Sequence, residues 1–420
     1  MDGQERSEER GLASRVLDEF SFIRGNFLVI LIGWLLVDAT REMAYTYYPL
    51  YVQALGGSAF TVGLIGSVSV IVEALGKIPG GYIADNYRRK RLIVVMTFMA
   101  SIGYLVFALA PTWHFILLGA VMSSLCWIYT PAFDSIVMES LPEDKRGTGY
   151  SLVNLITRVS TTPSPLIAGV LFTTYGLVGS TRIGFLIVAA SFLVASVLRT
   201  RLIETHGERP EIDARELVKS FSGAHSVIEG FRVWREVPRS LTALLLVEML
   251  SIVPNVVFNV TLIFYLVQEL GITELQLSYL GTIIGVSMII LAVPAGKVID
   301  RVGRKKPLLF GYALTFLALF AFLDADFNLM LVLAPLIALL NVTFYTAIQA
   351  LYADLIPEDA RGRVSGSKDF FRLAAVSIGQ LAGGFIYDNV SHTLPTYIYM
   401  ASTIPVFILT LLFVDDTEKA

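Results

Sequence analysis

The sequence predicts an all-α integral membrane protein whose twelve transmembrane helices form two pseudo-symmetric six-helix bundles. Three observations carry this: repeated apolar runs with short polar breaks, basic residues confined to alternate loops, and landmarks that recur at an offset of 215 residues. Hydrophobic residues make up 55% of the chain and charged residues 16%. Mean hydropathy is +0.67, a balance outside that of water-soluble domains.

A span needs roughly 20 apolar residues to cross a hydrocarbon core of about 30 Å. Windows of that kind lie near 26–54, 60–84, 91–111, 113–141, 147–173 and 181–200. Six more follow near 240–268, 274–299, 306–325, 327–356, 362–388 and 394–414. The chain thus divides into a polar segment 1–25, a bundle 26–200, a linker 201–239, a second bundle 240–414 and a tail 415–420. Met1 to Arg24 lacks the basic, apolar, small-residue order of a cleaved signal, so span 1 itself directs insertion. The linker mixes acids and bases, and Ala214 to Trp234 reads as an amphipathic helix lying on the membrane surface.

Basic loops stay cytoplasmic. Arg88 to Arg91 follow span 2, Lys145 and Arg146 span 4, Arg301 to Lys306 span 8, and Arg361 and Arg363 span 10. Both termini are therefore expected in the cytoplasm, in a multi-pass protein of the cytoplasmic membrane. A formal net charge of -3, from 32 basic and 35 acidic residues, gives no footprint for nucleic acid. The one cysteine, Cys126, cannot form an internal disulfide.

The repeat is dense. Gln53 falls on Gln268, Gly56 on Gly271, Gly66 on Gly281, Pro79 on Pro294, Gly81 on Gly296 and Asp85 on Asp300. Pro142-Glu143-Asp144-x-Arg146-Gly147 overlays Pro357-Glu358-Asp359-x-Arg361-Gly362. Parallel repeats of this kind belong to transporters that rock two bundles about a central site.

The run from Gly296 through Asp300, Arg301, Gly303, Arg304 and Lys305 resembles the G-x-x-x-D-R-x-G-R-K signature loop of the major facilitator superfamily. Its first-half copy keeps Gly81, Asp85, Arg89 and Lys90 but has Asn86 and Arg88 where Arg and Gly are usual. The glycines would let helices approach, and the aspartates would cap a neighbouring helix N-terminus. Glu139 with Arg146, and Asp354 with Arg361, are similar to the superfamily's acid-to-arginine relay; by resemblance they exchange ion pairs with the signature loops as a gate opens and closes. Gly379-Gln-Leu-Ala-Gly383-Gly384 in span 11 resembles the G-P-x-x-G-G motif that proton-coupled exporters carry in span 5, where this chain reads Ser164-Pro165-Leu-Ile-Ala168-Gly169. Ordinary close helix packing explains those small residues equally well. The resemblance implies the major facilitator fold, a monomer, and a broad prokaryotic branch.

Charges at membrane depth cost about 2.5–3.5 kcal/mol each and must face a cavity or a partner. Asp38, Arg41 and Glu42 share one face of span 1. Glu73 in span 2, and Arg158 in span 5 one turn after Asn154, are placed to meet span 1. Glu42 and Glu73, then Asp38, are the candidate proton carriers, with Arg41 or Arg158 as the competing cation; a permanent salt-bridge network is the alternative. The second half offers Asn255 and Asn259 in span 7, Asn341, Tyr345 and Gln349 in span 10, and Arg372 in span 11. Pro254 would interrupt span 7 and free carbonyls to the cavity. Trp127 is too deep for an interfacial belt and would line a cavity.

No phosphate-binding loop, metal-ligand cluster or catalytic constellation is present in the sequence, so neither an enzyme nor a cofactor is expected. The expected partners are a small solute, protons and membrane lipid. The leading expectation is proton-coupled export of small amphipathic or drug-like molecules by alternating access. Uptake or exchange of a polar metabolite, anionic ones included, is a second reading, supported by the arginines, and a non-transporting sensor or scaffold a third.

Overall fold

The computed structural model describes residues 22–142, 145–204, 234, 237–357 and 360–415, without the side chains of residues 78, 85 and 361–363. The expected amphipathic linker helix lies outside the described residues apart from Trp234, whose indole N–H donates to Ser367 Oγ at 2.8 Å.

In the first half, α1 (Gly25–Tyr45) and α2 (Tyr48–Ala54) make one crossing, interrupted at Thr46 and Tyr47 ahead of Pro49. Then come α3 (Ala59–Asn86) and α4 (Arg89–Leu109). The fourth crossing is α5 (Trp113–Cys126), a 3-10 turn at Trp127–Tyr129 and α6 (Thr130–Glu139), with Pro131 fixing the first turn of α6. The turn between spans 5 and 6 falls between the expected windows 147–173 and 181–200, but span 5 is itself made of two helices. α7 (Arg146–Thr161) and α8 (Ser164–Arg199) meet at a break beside Pro163, and the chain reverses at Gly176, whose φ of 67° only glycine adopts readily.

The second half runs α9 (Arg239–Gln268), α10 (Glu274–Val302), α11 (Lys305–Phe322), α12 (Phe327–Leu355), α13 (Arg361–Asn389) and α14 (Leu394–Phe413). Ten helical stretches among the described residues are long and apolar enough to cross a bilayer. One of them, Arg146–Arg199, makes two crossings, and α1 with α2 supplies the twelfth. The expected interruption at Pro254 is corrected: α9 is continuous through it. One missing N–H frees one carbonyl, and neighbouring helices in a bundle accommodate that.

Local chemistry repeats with the sequence. Gly56 and Gly271 both turn the chain at positive φ, 85° and 65°. The next helices are capped in register, Ser58 accepting from the Thr61 N–H and Thr273 forming a capping box with Gln276.

The halves meet along α3 with α13 and along α8 with α10. Between described residues, their hydrogen bonds gather at the end bearing Gln53 and Gln268, opposite the signature loops. Gln268 donates from Nε2 to Gln53 Oε1 at 3.2 Å, so the two copies of one repeated residue bond to each other on the pseudo-twofold axis. The Phe60 N–H donates to Asp388 Oδ2 at 2.7 Å, and the Tyr47 hydroxyl lies 2.5 Å from Ser278 Oγ. The deepest such contacts are Ser67 Oγ with Ser377 Oγ at 2.7 Å and Arg158 Nη1 with Met288 Sδ at 4.0 Å.

Apolar packing follows the same division. One core crosses between the halves, joining Tyr51, Phe107 and Phe185 to Phe264, Leu277 and Phe322. Toward the signature loops it gives way to two separate cores, one around Ile93 and Ile136, the other around their repeat equivalents Leu308 and Leu351. The halves are thus closed at one end and independent at the other.

Lipid offers no hydrophobic drive between helices, so close backbone approach at small residues carries this seam. A Cβ at Gly384 would run into the Ala59 carbonyl and the Phe60 backbone, and one at Gly63 into the Gln380 carbonyl. Gly384→Val therefore overpacks the seam, at a cost of about 1–3 kcal/mol borne by the closed end. Spin labels at Ala54 and Leu270 should move apart on pulsed electron resonance, together with a lower melting temperature; unchanged distances and stability would mean that the seam is slack.

Candidate functional site

Each half carries one strong ion pair beneath its signature loop. Arg89 Nη1 donates to both Glu139 oxygens at 2.8 and 3.0 Å, and its Nε donates to the Ala84 carbonyl at 2.8 Å. Arg304 Nε meets Asp354 Oδ2 at 2.8 Å. These are equivalent positions of the repeat, and both arginines are buried, Arg89 to 5% exposure and Arg304 to 8%. The pair staples the loop after the second crossing to the end of the fourth, within one half. Arg146 and Arg361 begin the helices that follow, α7 and α13; Arg361's side chain, like Asp85's, is outside the description.

Two expectations at this end are corrected. Gly81 and Gly296 support no close approach, because a Cβ at either would meet nothing within 4 Å. Asp300 and Arg301 are exposed, and no described residue hydrogen-bonds to Asp300, so it caps no helix. Both follow from the separation of the halves here. The signature turn also differs between copies: Gly303 takes φ 88°, while Arg88 at the equivalent place keeps an extended φ of -63°.

At mid-depth the span 1 cluster packs on α7 and α8. Asp38 Oδ2 accepts from Thr157 Oγ1 at 3.4 Å, and the Arg41 guanidinium lies 5.4 Å from the Trp127 ring centroid. Trp127 thus holds a cation and is absent from the walls of the cavities described below. Arg158 reaches Met288 instead of span 1, and Asn154 is exposed. Glu73 is likewise corrected. It pairs with Lys77 one turn along its own helix at 3.1 Å, because α3 borders α13, α5 and α6, away from α1.

Two cavities adjoin. One of about 630 Å³ lies between the halves, with Glu42, Tyr45 and Pro165 on one wall and Asn259, Leu262 and Phe322 on the other. The second, about 480 Å³, is enclosed by the C-terminal half and lined by Asn341, Tyr345, Gln349 and Arg372 among others. They share Asn255, Thr315, Asn341, Phe344 and Tyr399 along their common border. Of the candidate polar groups, Glu42, Asn255, Asn259, Asn341, Tyr345, Gln349 and Arg372 line them.

Sequence reasoning missed Glu248, which lines the C-terminal cavity and accepts from the Tyr352 hydroxyl at 2.5 Å. The signal was present, since a glutamate inside the apolar run of span 7 is costly by the rule that singled out span 1. It missed Arg199 for another reason. That residue sits at a helix end yet is 2% exposed, with its guanidinium 4.4 Å from the Phe133 centroid and 5.1 Å from Tyr129, and bonded to Thr97.

Removing one partner of a buried ion pair costs about 3–5 kcal/mol, and the partial exposure of Glu139 sets the lower end, about 3 kcal/mol. Glu139→Ala should lower the melting temperature of the detergent-purified protein. Adding Arg89→Ala should recover part of the loss, since no uncompensated charge then remains. A double variant no more stable than the single would dismiss the pair as a staple.

The Major Facilitator Superfamily model matches residues 30–256 and 244–420. The multidrug resistance protein MdtG of Enterobacter lignolyticus is 24% identical over 378 residues, covering 87% of this chain and 85% of that protein. The multi-drug resistance efflux pump PmrA of Streptococcus pneumoniae is 24% identical over 377 residues, covering 86% and 89%. The xylose transporter XylE of E. coli, in a partially occluded inward open conformation, aligns at TM-score 0.67 and 14% identity over 95% of this chain and 99% of that one. With twelve crossings, a paired signature loop and a central cavity shared by two repeats, the chain belongs to the Major Facilitator Superfamily and is a multi-pass membrane transporter, not an enzyme.

Proposed function

We propose that this transporter exports small amphipathic molecules in exchange for protons, by rocking bundles 26–200 and 240–414 about the shared cavity. The observation that carries the proposal is the placement of Glu42, a carboxylate of the first half, on the wall of a mainly apolar cavity that the second half completes. The names of the similar efflux proteins point the same way. The basic loops support a topology with both termini and the signature-loop end in the cytoplasm, and in that topology the described state is open inward. Protein as a monomer suffices, since both walls of the cavity come from one chain.

A carboxylate in a low-dielectric cavity is stabilised either by a proton or by a cation, and the two compete for the same oxygens. Glu42 with a bound cationic amphiphile, or Glu42 protonated, lets the halves close over a neutral site. Glu42 bearing an unmatched charge does not. Asp38, held by Thr157, and Arg41, held over Trp127, set the field around it. Glu73 is already matched by Lys77. On closure at the cytoplasmic end, the open space around Gly81 and Gly296 becomes the seam, as Gly63 and Gly384 are at the other end now. Arg372, which no described residue pairs, favours a second reading in which an anionic solute is carried.

In proteoliposomes with an imposed pH gradient, the wild type should drive ethidium against its gradient. Glu42→Gln should reduce that movement by more than about tenfold, Asp38→Asn by less, and Glu73→Gln least. Flux that ignores both the pH gradient and Glu42→Gln would sink proton coupling; flux of anions alone, lost in Arg372→Gln, would establish the second reading.

A further inference from the structure

The cavity of the C-terminal half holds two opposite charges that have no equivalents in the other half. Glu248 enters it from α9 and Arg372 from α13. Both helices start at the signature-loop end. At about 1.5 Å per residue the two side chains branch off roughly 13 Å and 16 Å along them, at comparable depth. They share a cavity without sharing a bond.

Glu248 is oriented by its neighbours. The Tyr352 hydroxyl donates to Oε2 at 2.5 Å, and the ammonium of Lys368 lies 4.3 Å from the centroid of the Tyr352 ring. A carboxylate offers about four lone-pair sites and Tyr352 takes one, leaving the other oxygen for a donor in the cavity. Arg372 is the complementary case. It carries five N–H donors, and no hydrogen bond or ion pair with another residue engages them. An unmatched guanidinium at this depth is costly unless an anion or water meets it. Between the two charges the wall is aromatic and aliphatic, with Tyr312, Phe344, Tyr399, Ile252 and Val376.

We propose that this cavity is a binding site for zwitterionic solutes: an anionic carboxylate, phosphate or sulfonate on Arg372, an amine on Glu248, and an apolar stem along the aromatic wall. The proposal rests on the reading of the chain as an alternating-access transporter and names the class of molecule that it carries. It accounts for both charges at once. A solute bearing one charge would satisfy one residue and leave the other unmatched, whereas a zwitterion neutralises both and enters as a net-neutral body. Asn255 and Asn341 belong to both cavities, so a solute seated here borders the space that Glu42 faces.

The test uses the purified full chain in lipid nanodiscs and a ladder of straight-chain ω-amino acids, from aminobutanoate to aminododecanoate. The n-alkylamine and n-alkanoate of each length are the singly charged controls, and binding is read by isothermal titration calorimetry. One length is expected to bind at least about tenfold more tightly than both of its controls. Arg372→Gln should erase the advantage over the alkylamine, and Glu248→Gln the advantage over the alkanoate. Arg372→Lys and Glu248→Asp should retain part of each. Equal binding of all three classes at every length, or no binding at all, overturns the proposal on the wild type alone, so a variant that fails to fold cannot hide the answer. An amine that binds as well as its ω-amino acid overturns it too, in favour of a simple cation site. Proton-driven ethidium flux that persists without a zwitterion preference would leave the exporter reading standing while this one falls; a preference without proton-driven flux would do the reverse.

Discussion

Everything in this molecule depends on how closely two backbones pass each other at one end of the seam. In lipid, neither half gains by hiding apolar surface from the other, so the contact has to come from dispersion and short hydrogen bonds at small residues. The repeat supplies these contacts twice. The space beside Gly66 is filled by Gln380, and the space beside its equivalent Gly281 by Pro165, itself the equivalent of Gln380. A Cβ added at Gly63 would come within 3.6 Å of the Gly384 Cα, and one at Gly169 within 2.9 Å of the hydroxyl of Ser278, the equivalents of Gly384 and Gly63. One local solution, copied by duplication, therefore builds both flanks of the seam, and the bond from Gln268 to Gln53 marks the axis between them.

A seam held at one end is useful only if each half moves as a unit, and the ion pairs below the signature loops meet that need. Arg89 with Glu139, and Arg304 with Asp354, tie the second crossing to the fourth inside each half and make no demand on the other half. The separate cores around Ile93 and Leu308 do the same with apolar contacts. Rigidity is thus concentrated within the halves, and the space around Gly81 and Gly296 is left as room for travel.

What the sequence disclosed and what it hid divide along the same line. Crossings, the repeat and the cap positions were legible because they are local: an apolar run, a glycine that must turn, a serine or threonine before a helix. The relay acids Glu139 and Asp354 were recognised and expected to pair with the signature loops, and the arginine that each meets there is Arg89 or Arg304, fifty residues before it. Which basic residue of the loop that would be is set by packing, which spacing does not show. Glu73 was assigned to the span 1 cluster because both are charges at one depth. Depth can be read from a hydropathy run, but which helices are neighbours cannot, and α3 lies beside α13. Glu248 was overlooked although its window announced it, since one acid in a run lacks the i, i+3, i+4 pattern that drew attention to Asp38, Arg41 and Glu42.

The repeat also separates frame from chemistry. The seam contacts, the turn glycines Gly56 and Gly271, the caps that follow them and the ion pairs have partners at the same offset. The charged groups at membrane depth do not: Asp38, Arg41 and Glu42 correspond to Val253, Val256 and Val257, Glu248 to Gly33, and Arg372 to Thr157. A duplicated frame gives two equivalent walls, and equivalent walls would hold the same charge on both sides of the solute. Placing the Glu42 carboxylate on one wall and a carboxylate with a guanidinium on the other breaks that equivalence. In the proposed cycle this leaves one wall to exchange a proton and the other to recognise the cargo, while the seam, built alike from both repeats, treats the two walls equally.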